Sequence, residues 1–203
     1  MVRVMFFIDG FNLYHAIDYK KRYHKYKWLN LQKLCECFTS KKEEIGTIKY
    51  FTAYSTWRPE SMKRHQLYIK ALRNVGIEPI FGKFKWKDKK CKLCGKIFTA
   101  HEEKRTDVNI AVNLFVDAML DNYDKAIIVS ADTDLIPAIY AVKSNFPPKN
   151  IGLVIPIGRG AEELKSIVDF HMRMKEKHLE VSQFEDTIDL GNDVFLERPK
   201  EWT

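Results

Sequence analysis

Asp9, Asp107, Asp132 and Asp134 are the residues whose type and placement can do chemistry. Asp9 directly follows an apolar run at 3–8. Asp132 and Asp134 follow the run at 126–129, in the turn Ser130-Ala131-Asp132-Thr133-Asp134. Crowded carboxylates repel and raise one another's pKa. Hard divalent cations relieve that repulsion, and magnesium favours a few carboxylates plus water and substrate phosphate. Magnesium or manganese held this way can activate water and stabilise the leaving oxygen in phosphodiester hydrolysis. Taken singly, each aspartate reads equally well as a turn former or helix cap. The chemical reading rests on their convergence.

The elements that bring them together can be read from the pattern. Strand-like apolar runs at 3–8, 48–54, 77–81, 126–129 and 151–155 alternate with helical patterns. The helices fall near 11–19, 31–38, 59–75, 107–122, 135–144 and 161–168. Short apolar runs separated by helices predict a mainly parallel sheet covered on both faces, a three-layer α/β/α fold of Rossmannoid type. Ligands of such sheets sit beyond the carboxyl ends of the strands, at a switch point. Asp9, Asp132 and Asp134 all fall on that edge. Asp107, with Thr106 as expected N-cap, opens a helix antiparallel to the strand it feeds, so its N-terminus returns to the same edge.

One segment interrupts the alternation. Residues 83–104 are rich in lysine, carry Cys91-Lys-Leu-Cys94, and read as a hairpin or knuckle inserted before the long helix. Two thiolates at that spacing can share a zinc, with His101 the nearest third ligand, in a structural role. Reduced cysteines in a plain turn are the other reading. Cys35 and Cys37 read as buried thiols. The tail from about 184 is polar, with a strand or loop at 194–196. The whole is expected to be one domain over 1–203.

With 203 residues and 45% apolar content, the chain can build one α/β core. No apolar run approaches the ~20 residues of a membrane helix, so a cytoplasmic protein without membrane contact is expected. Lysine and arginine exceed the acids, 34 against 27. That excess favours polyanions by long-range field and counterion release. Lys104, Arg105 and Arg58 are candidates for substrate phosphates, with Lys63-Arg64-His65 behind them. Tyr14, Trp28, Trp57 and Trp86 are candidates for base stacking, although each also suits packing. Asp117 and Asp121 are expected to face solvent or pair with lysine. Gly158-Arg159-Gly160 reads as an ordinary turn. No Gly-x-Gly-x-x-Gly follows a strand, which speaks against a dinucleotide enzyme, and no serine or histidine triad is evident. Oligomeric state stays open, a homodimer included.

Three motifs then occur in order: Phe7-Ile8-Asp9-Gly10-Phe11-Asn12-Leu13, Glu103-Lys104-Arg105-Thr106-Asp107-Val108, and Val129-Ser130-Ala131-Asp132-Thr133-Asp134-Leu135-Ile136-Pro137. Together they resemble the NYN domain family of PIN-like domains, in particular its LabA-like bacterial branch, over roughly residues 1–170. Ala131 stands where a glycine is common. The resemblance implies a PIN-like fold, a divalent metal, and cleavage of RNA or other nucleic acid. By motif position it puts Asp9, Asp107, Asp132 and Asp134 on the metal-site positions, with Asn12 and Ser130 supporting them. The expected function is a magnesium- or manganese-dependent nuclease acting on RNA. The alternatives are a non-catalytic nucleic-acid-binding module and a small-molecule enzyme, a hydroxylase or phosphatase, on the same fold.

Overall fold

The computed structural model describes residues 1–202. In chain order the elements begin with β1 (Val2–Asp9), α1 (Gly10–Asp18), α2 (Leu31–Glu36), β2 (Glu43–Thr52), α3 (Pro59–Asn74) and β3 (Glu78–Phe81). Next come β4 (Lys83–Lys90), β5 (Ile97–Lys104), α4 (Thr106–Met119), β6 (Lys125–Val129), α5 (Ile136–Asn145) and β7 (Asn150–Ile155). The last are α6 (Glu162–Ile167), β8 (Phe170–Arg173), α7 (Glu176–Val181), β9 (Thr187–Asp189) and β10 (Phe195–Glu197).

The central sheet has the order β3-β2-β1-β6-β7-β8, and every pairing in it is parallel. Helices cover both faces because consecutive strand residues point to opposite sides. Along β1, Val4, Phe6 and Ile8 pack into one apolar cluster with α1, α2 and α3. Met5 and Phe7 pack into the other, with α4 and α5. Strand order reverses between β1 and β6, and a ligand crevice is expected there. Register is shared across that boundary, with Ile8 opposite Val129. The next residues in each strand, Asp9 and Ser130, therefore meet.

Helix α4 is fixed to the sheet by a buried ion pair. Lys49 Nζ on β2 donates to Asp117 Oδ2 at 2.7 Å and to Asn113 Oδ1 at 3.0 Å. Asn122 donates to the other Asp117 oxygen at 2.9 Å. Asp117 pairs with lysine as expected, but it does so inside the protein. Asp121 is exposed and bonds Arg3 and Lys149.

β8 extends the sheet by a strand that four residues of mixed character did not announce. The tail carries the strand read near 194–196, as β10, and docks on the core. β9 and β10 form a hairpin, and Phe184, Leu196 and Trp202 are buried, with Trp202 6.1 Å from Trp28 ring to ring. Trp28 is wholly buried, which removes it from the stacking candidates. Cys35 is buried and Cys37 exposed, so only the first is a core thiol.

The 83–104 segment is the antiparallel ribbon β4–β5, paired at eight positions from Lys83–Lys104 to Lys90–Ile97. Gly82 at its root has no room for a side chain: a Cβ would lie 2.7 Å from Thr106 Oγ1 and 2.9 Å from the Lys104 carbonyl. The ribbon returns into α4 through Arg105, whose φ of 85° is left-handed, a strained state for a non-glycine residue. Arg105 thus takes the cap position expected for Thr106, and Thr106 is the first helical residue.

Candidate functional site

The end of β1 sets the first carboxylate. Asp9 is 3% exposed and caps α1, its Oδ1 accepting the Asn12 N–H at 3.0 Å. Gly10 lets the chain turn there, because a Cβ would lie 2.6 Å from the Phe51 carbonyl. Ser130 Oγ, fully buried at the end of β6, donates to Asp9 Oδ2 at 2.8 Å and accepts the Asp132 N–H at 3.1 Å. Asn12 Oδ1 accepts the Ala131 N–H at 3.1 Å, which ties α1 to the turn after β6. These bonds fix Asp9 and Asp132 relative to one another before any ligand arrives.

Asp107 enters from the first turn of α4. Ligand oxygens of Asp9, Asp107 and Asp132 all lie within 4.8 Å of one another. None of the three forms an ion pair with lysine or arginine among the described residues. Burial, then Asp132 and Asp9, push the Asp107 carboxyl up to about 6. Burial likewise raises Asp9, against the hydrogen bonds from Asn12 and Ser130. Three desolvated, mutually repelling oxygen donors without a protein cation suit a hard divalent ion.

The fourth aspartate stands apart. Asp134 is exposed in the turn after Asp132, its N–H donating to Asp132 Oδ1 at 3.0 Å. It adds to the repulsion on Asp107 but is not in the triad. The turn geometry explains this: Asp132 caps it, so Asp134, two residues on, points outward.

Crowding has a measurable cost. Because the folded-state pKa of Asp107 is raised, its ionisation opposes folding at high pH and the penalty fades as pH falls through about 6. Asp107→Asn is therefore expected to raise Tm of the metal-free protein at pH 8 and to leave it unchanged near pH 4. Thermal melts in EDTA at both pH values test this; an equal gain at both would point to packing instead.

The triad lies in a cavity of about 680 Å³. Its walls mix aromatics (Phe11, Tyr14, Trp57, Phe84) with Arg58 and Arg159. Arg58 is thus on the cavity, as expected. Lys104 is not: it stands on the opposite face of the ribbon and pairs with Glu102 at 3.2 Å. Arg105 is exposed at the turn and does not line the cavity either. Arg64 lines it but is paired with Glu201 at 2.8 Å.

Two lining residues, Glu103 and Arg159, had no assigned role in the sequence, and His65 is on the cavity as its place behind Arg58 led one to expect. Glu103 accepts the Thr106 N–H at 3.0 Å and adds to the charge on Asp107. Its place three residues before Thr106 was the available signal. His65 lies 3.2 Å from Thr52 Oγ1 and is held at about 4 by burial, so it is neutral at physiological pH. Arg159 sits in an ordinary turn, as read, yet that turn points it at the cavity without an acidic partner among the described residues.

The cysteine pair lies at the ribbon tip. The register holds His101 opposite Trp86, four positions from the tip pair Lys90–Ile97, and stacks its ring on Trp57 at 3.9 Å. The expected third zinc ligand is therefore out of reach of Cys91 and Cys94. Among the described residues nothing else joins the two thiols in a three-ligand group. No helix there is long and apolar enough to cross a membrane.

The NYN domain family model matches residues 3–172. Among characterised proteins, 6-hydroxy-3-succinoylpyridine 3-monooxygenase HspA of Pseudomonas putida (strain DSM 28022 / S16) is 31% identical over 190 residues, 76% of this chain. The chain spans 60% of that relative's length. The crystal structure of a protein of unknown function from Vibrio parahaemolyticus RIMD 2210633 is similar with a TM-score of 0.61 at 16% identity, covering 86% of this chain and 94% of that one.

Proposed function

The chain belongs to the NYN domain family, and from that premise we propose that it is a divalent-metal-dependent nuclease, an endoribonuclease in particular. The observation that carries this reading is the unpaired triad of Asp9, Asp107 and Asp132 at the switch point of the sheet. These three carboxylates would hold magnesium or manganese, with Asp134 adding negative charge beside them. When bound, such an ion neutralises charge on a phosphoryl group and makes water a better nucleophile.

The protein's own residues do the rest. Ser130 and the Asn12 N–H hold both oxygens of Asp9 in place, so the donor set is formed in advance. Arg58 and Arg159 bring cationic groups to the cavity rim for phosphates on either side of the scissile bond. Neutral His65 adds no competing charge. RNA is the expected partner and the cell interior the expected setting. The two thiols of the ribbon could hold structural zinc only with ligands from elsewhere, such as a second chain.

A second reading, hydroxylation of a small aromatic ring, is favoured by the similarity to the Pseudomonas monooxygenase and by the aromatic wall of the cavity. One panel separates the two: labelled RNA, single- and double-stranded DNA, and a pyridine substrate with NADH and oxygen, each with manganese or with EDTA. RNA fragments in manganese alone are expected. Pyridine turnover without nucleic-acid cleavage would replace the nuclease reading.

A further inference from the structure

The β4–β5 ribbon carries eight lysines against Asp88, Glu102 and Glu103, a surplus of five in a chain whose net charge is +7. Its two faces differ, as strand alternation requires. Lys83, Lys85, Lys87 and Lys89 stand on one face. Phe84, Trp86 and His101 stand on the other. That second face continues the cavity wall. Phe84 packs edge-on against Phe11 at 5.5 Å and against Trp57 at 4.6 Å, while His101 stacks on Trp57. Phe11 follows Gly10, one step from Asp9. An aromatic track therefore runs from the acidic triad, through Trp57, out along the ribbon to Trp86.

Trp86 has no packing role that explains it. It is 73% exposed, on a two-stranded ribbon with no core beneath its outer half. Lys90 shares its face, and Lys92 and Lys96 lie at the ribbon tip; an exposed indole with these cations at one end suits stacking on a nucleobase with phosphates close by. A duplex hides its base faces, so the track favours an unpaired strand.

We propose that the β4–β5 ribbon is a strand-binding arm for single-stranded nucleic acid, on which unpaired bases stack against Trp86 and Trp57 while Lys90 and the tip lysines Lys92 and Lys96 meet the phosphates. The proposal deepens the nuclease reading and rests on it for the strand's path toward the triad. Binding to the arm itself needs no catalysis and can be read separately.

The test uses the full chain carrying Asp9→Asn, with a short fluorescent single-stranded RNA and the matching blunt duplex. Trp86→Ala is expected to weaken single-strand binding roughly tenfold or more, and Trp86→Phe to restore most of it. The duplex should bind more weakly and ignore both changes. Replacing Lys90, Lys92 and Lys96 with glutamine should reduce the slope of log affinity against log salt by up to about 2, since each phosphate contact on a single strand contributes ~0.7. Unchanged single-strand affinity in Trp86→Ala, or equal loss for the duplex, overturns the arm. So does self-association that vanishes with Trp86→Ala while RNA affinity stays the same, which would make the ribbon a contact between two copies. If wild type cuts RNA with the same KM as Trp86→Ala, the arm falls and the nuclease reading stands. If wild type cuts nothing while Trp86-dependent binding persists, the nuclease reading falls and the arm stands.

Discussion

Asp9→Asn is expected to lower RNA cleavage by about 10²–10³-fold or more while leaving the fold intact. The side chain keeps its shape and can still accept one of the two bonds that hold it, from the Asn12 N–H or from Ser130. It loses one oxygen donor and the charge. Burial already disfavours the charged form of Asp9, so the neutral amide should fold at least as well. The change should appear in kcat at saturating RNA, with circular dichroism and Tm unchanged or Tm raised. Wild-type turnover by this variant would remove Asp9 from the catalytic machinery.

The second large effect is on stability. Lys49→Met is expected to destabilise the protein by about 3–5 kcal/mol, because Asp117 would remain buried with only Asn122 as partner. At roughly 2–4 °C per kcal/mol for a chain of this size, Tm should fall by about 10 °C. Adding Asp117→Leu should recover much of the loss, since the pair is then replaced by apolar packing. Calorimetric melts of the two variants test this. A loss below ~1 kcal/mol in the single variant would mean that water reaches Asp117. The pair also matters to the site: it sits ten residues along α4 from Asp107 and sets the helix against β2.

Much of this arrangement is legible in the sequence because topology does the positioning. Apolar runs that end in Asp9 and in Ser130-Ala131-Asp132 must end on one edge of a parallel sheet. A helix feeding the second run must begin there, which brings Asp107. The legible part stops where local turn geometry takes over. Asp134 is two residues from Asp132, and only the capped turn decides that it faces out. Arg105 carries no signal for its left-handed backbone. Lys104 and His101 depend on ribbon register: one residue of alternation turns Lys104 from the cavity, and four paired positions part His101 from the cysteines. The tail is obscure for another reason. Phe184 and Trp202 are single apolar residues among polar ones, and no periodicity predicts that they dock on Trp28.

On the proposed function, the triad supports attack of water on a phosphodiester. Cleavage of a labelled RNA in ¹⁸O-enriched water with manganese, followed by mass spectrometry of the new ends, tests it most directly. A phosphate terminus carrying a single ¹⁸O at the new bond and a free hydroxyl on the other fragment are expected, with no product in EDTA. A 2′,3′-cyclic phosphate without ¹⁸O would show attack by the ribose instead, and cleavage that persists in EDTA would contradict any role for the acidic triad as a metal site.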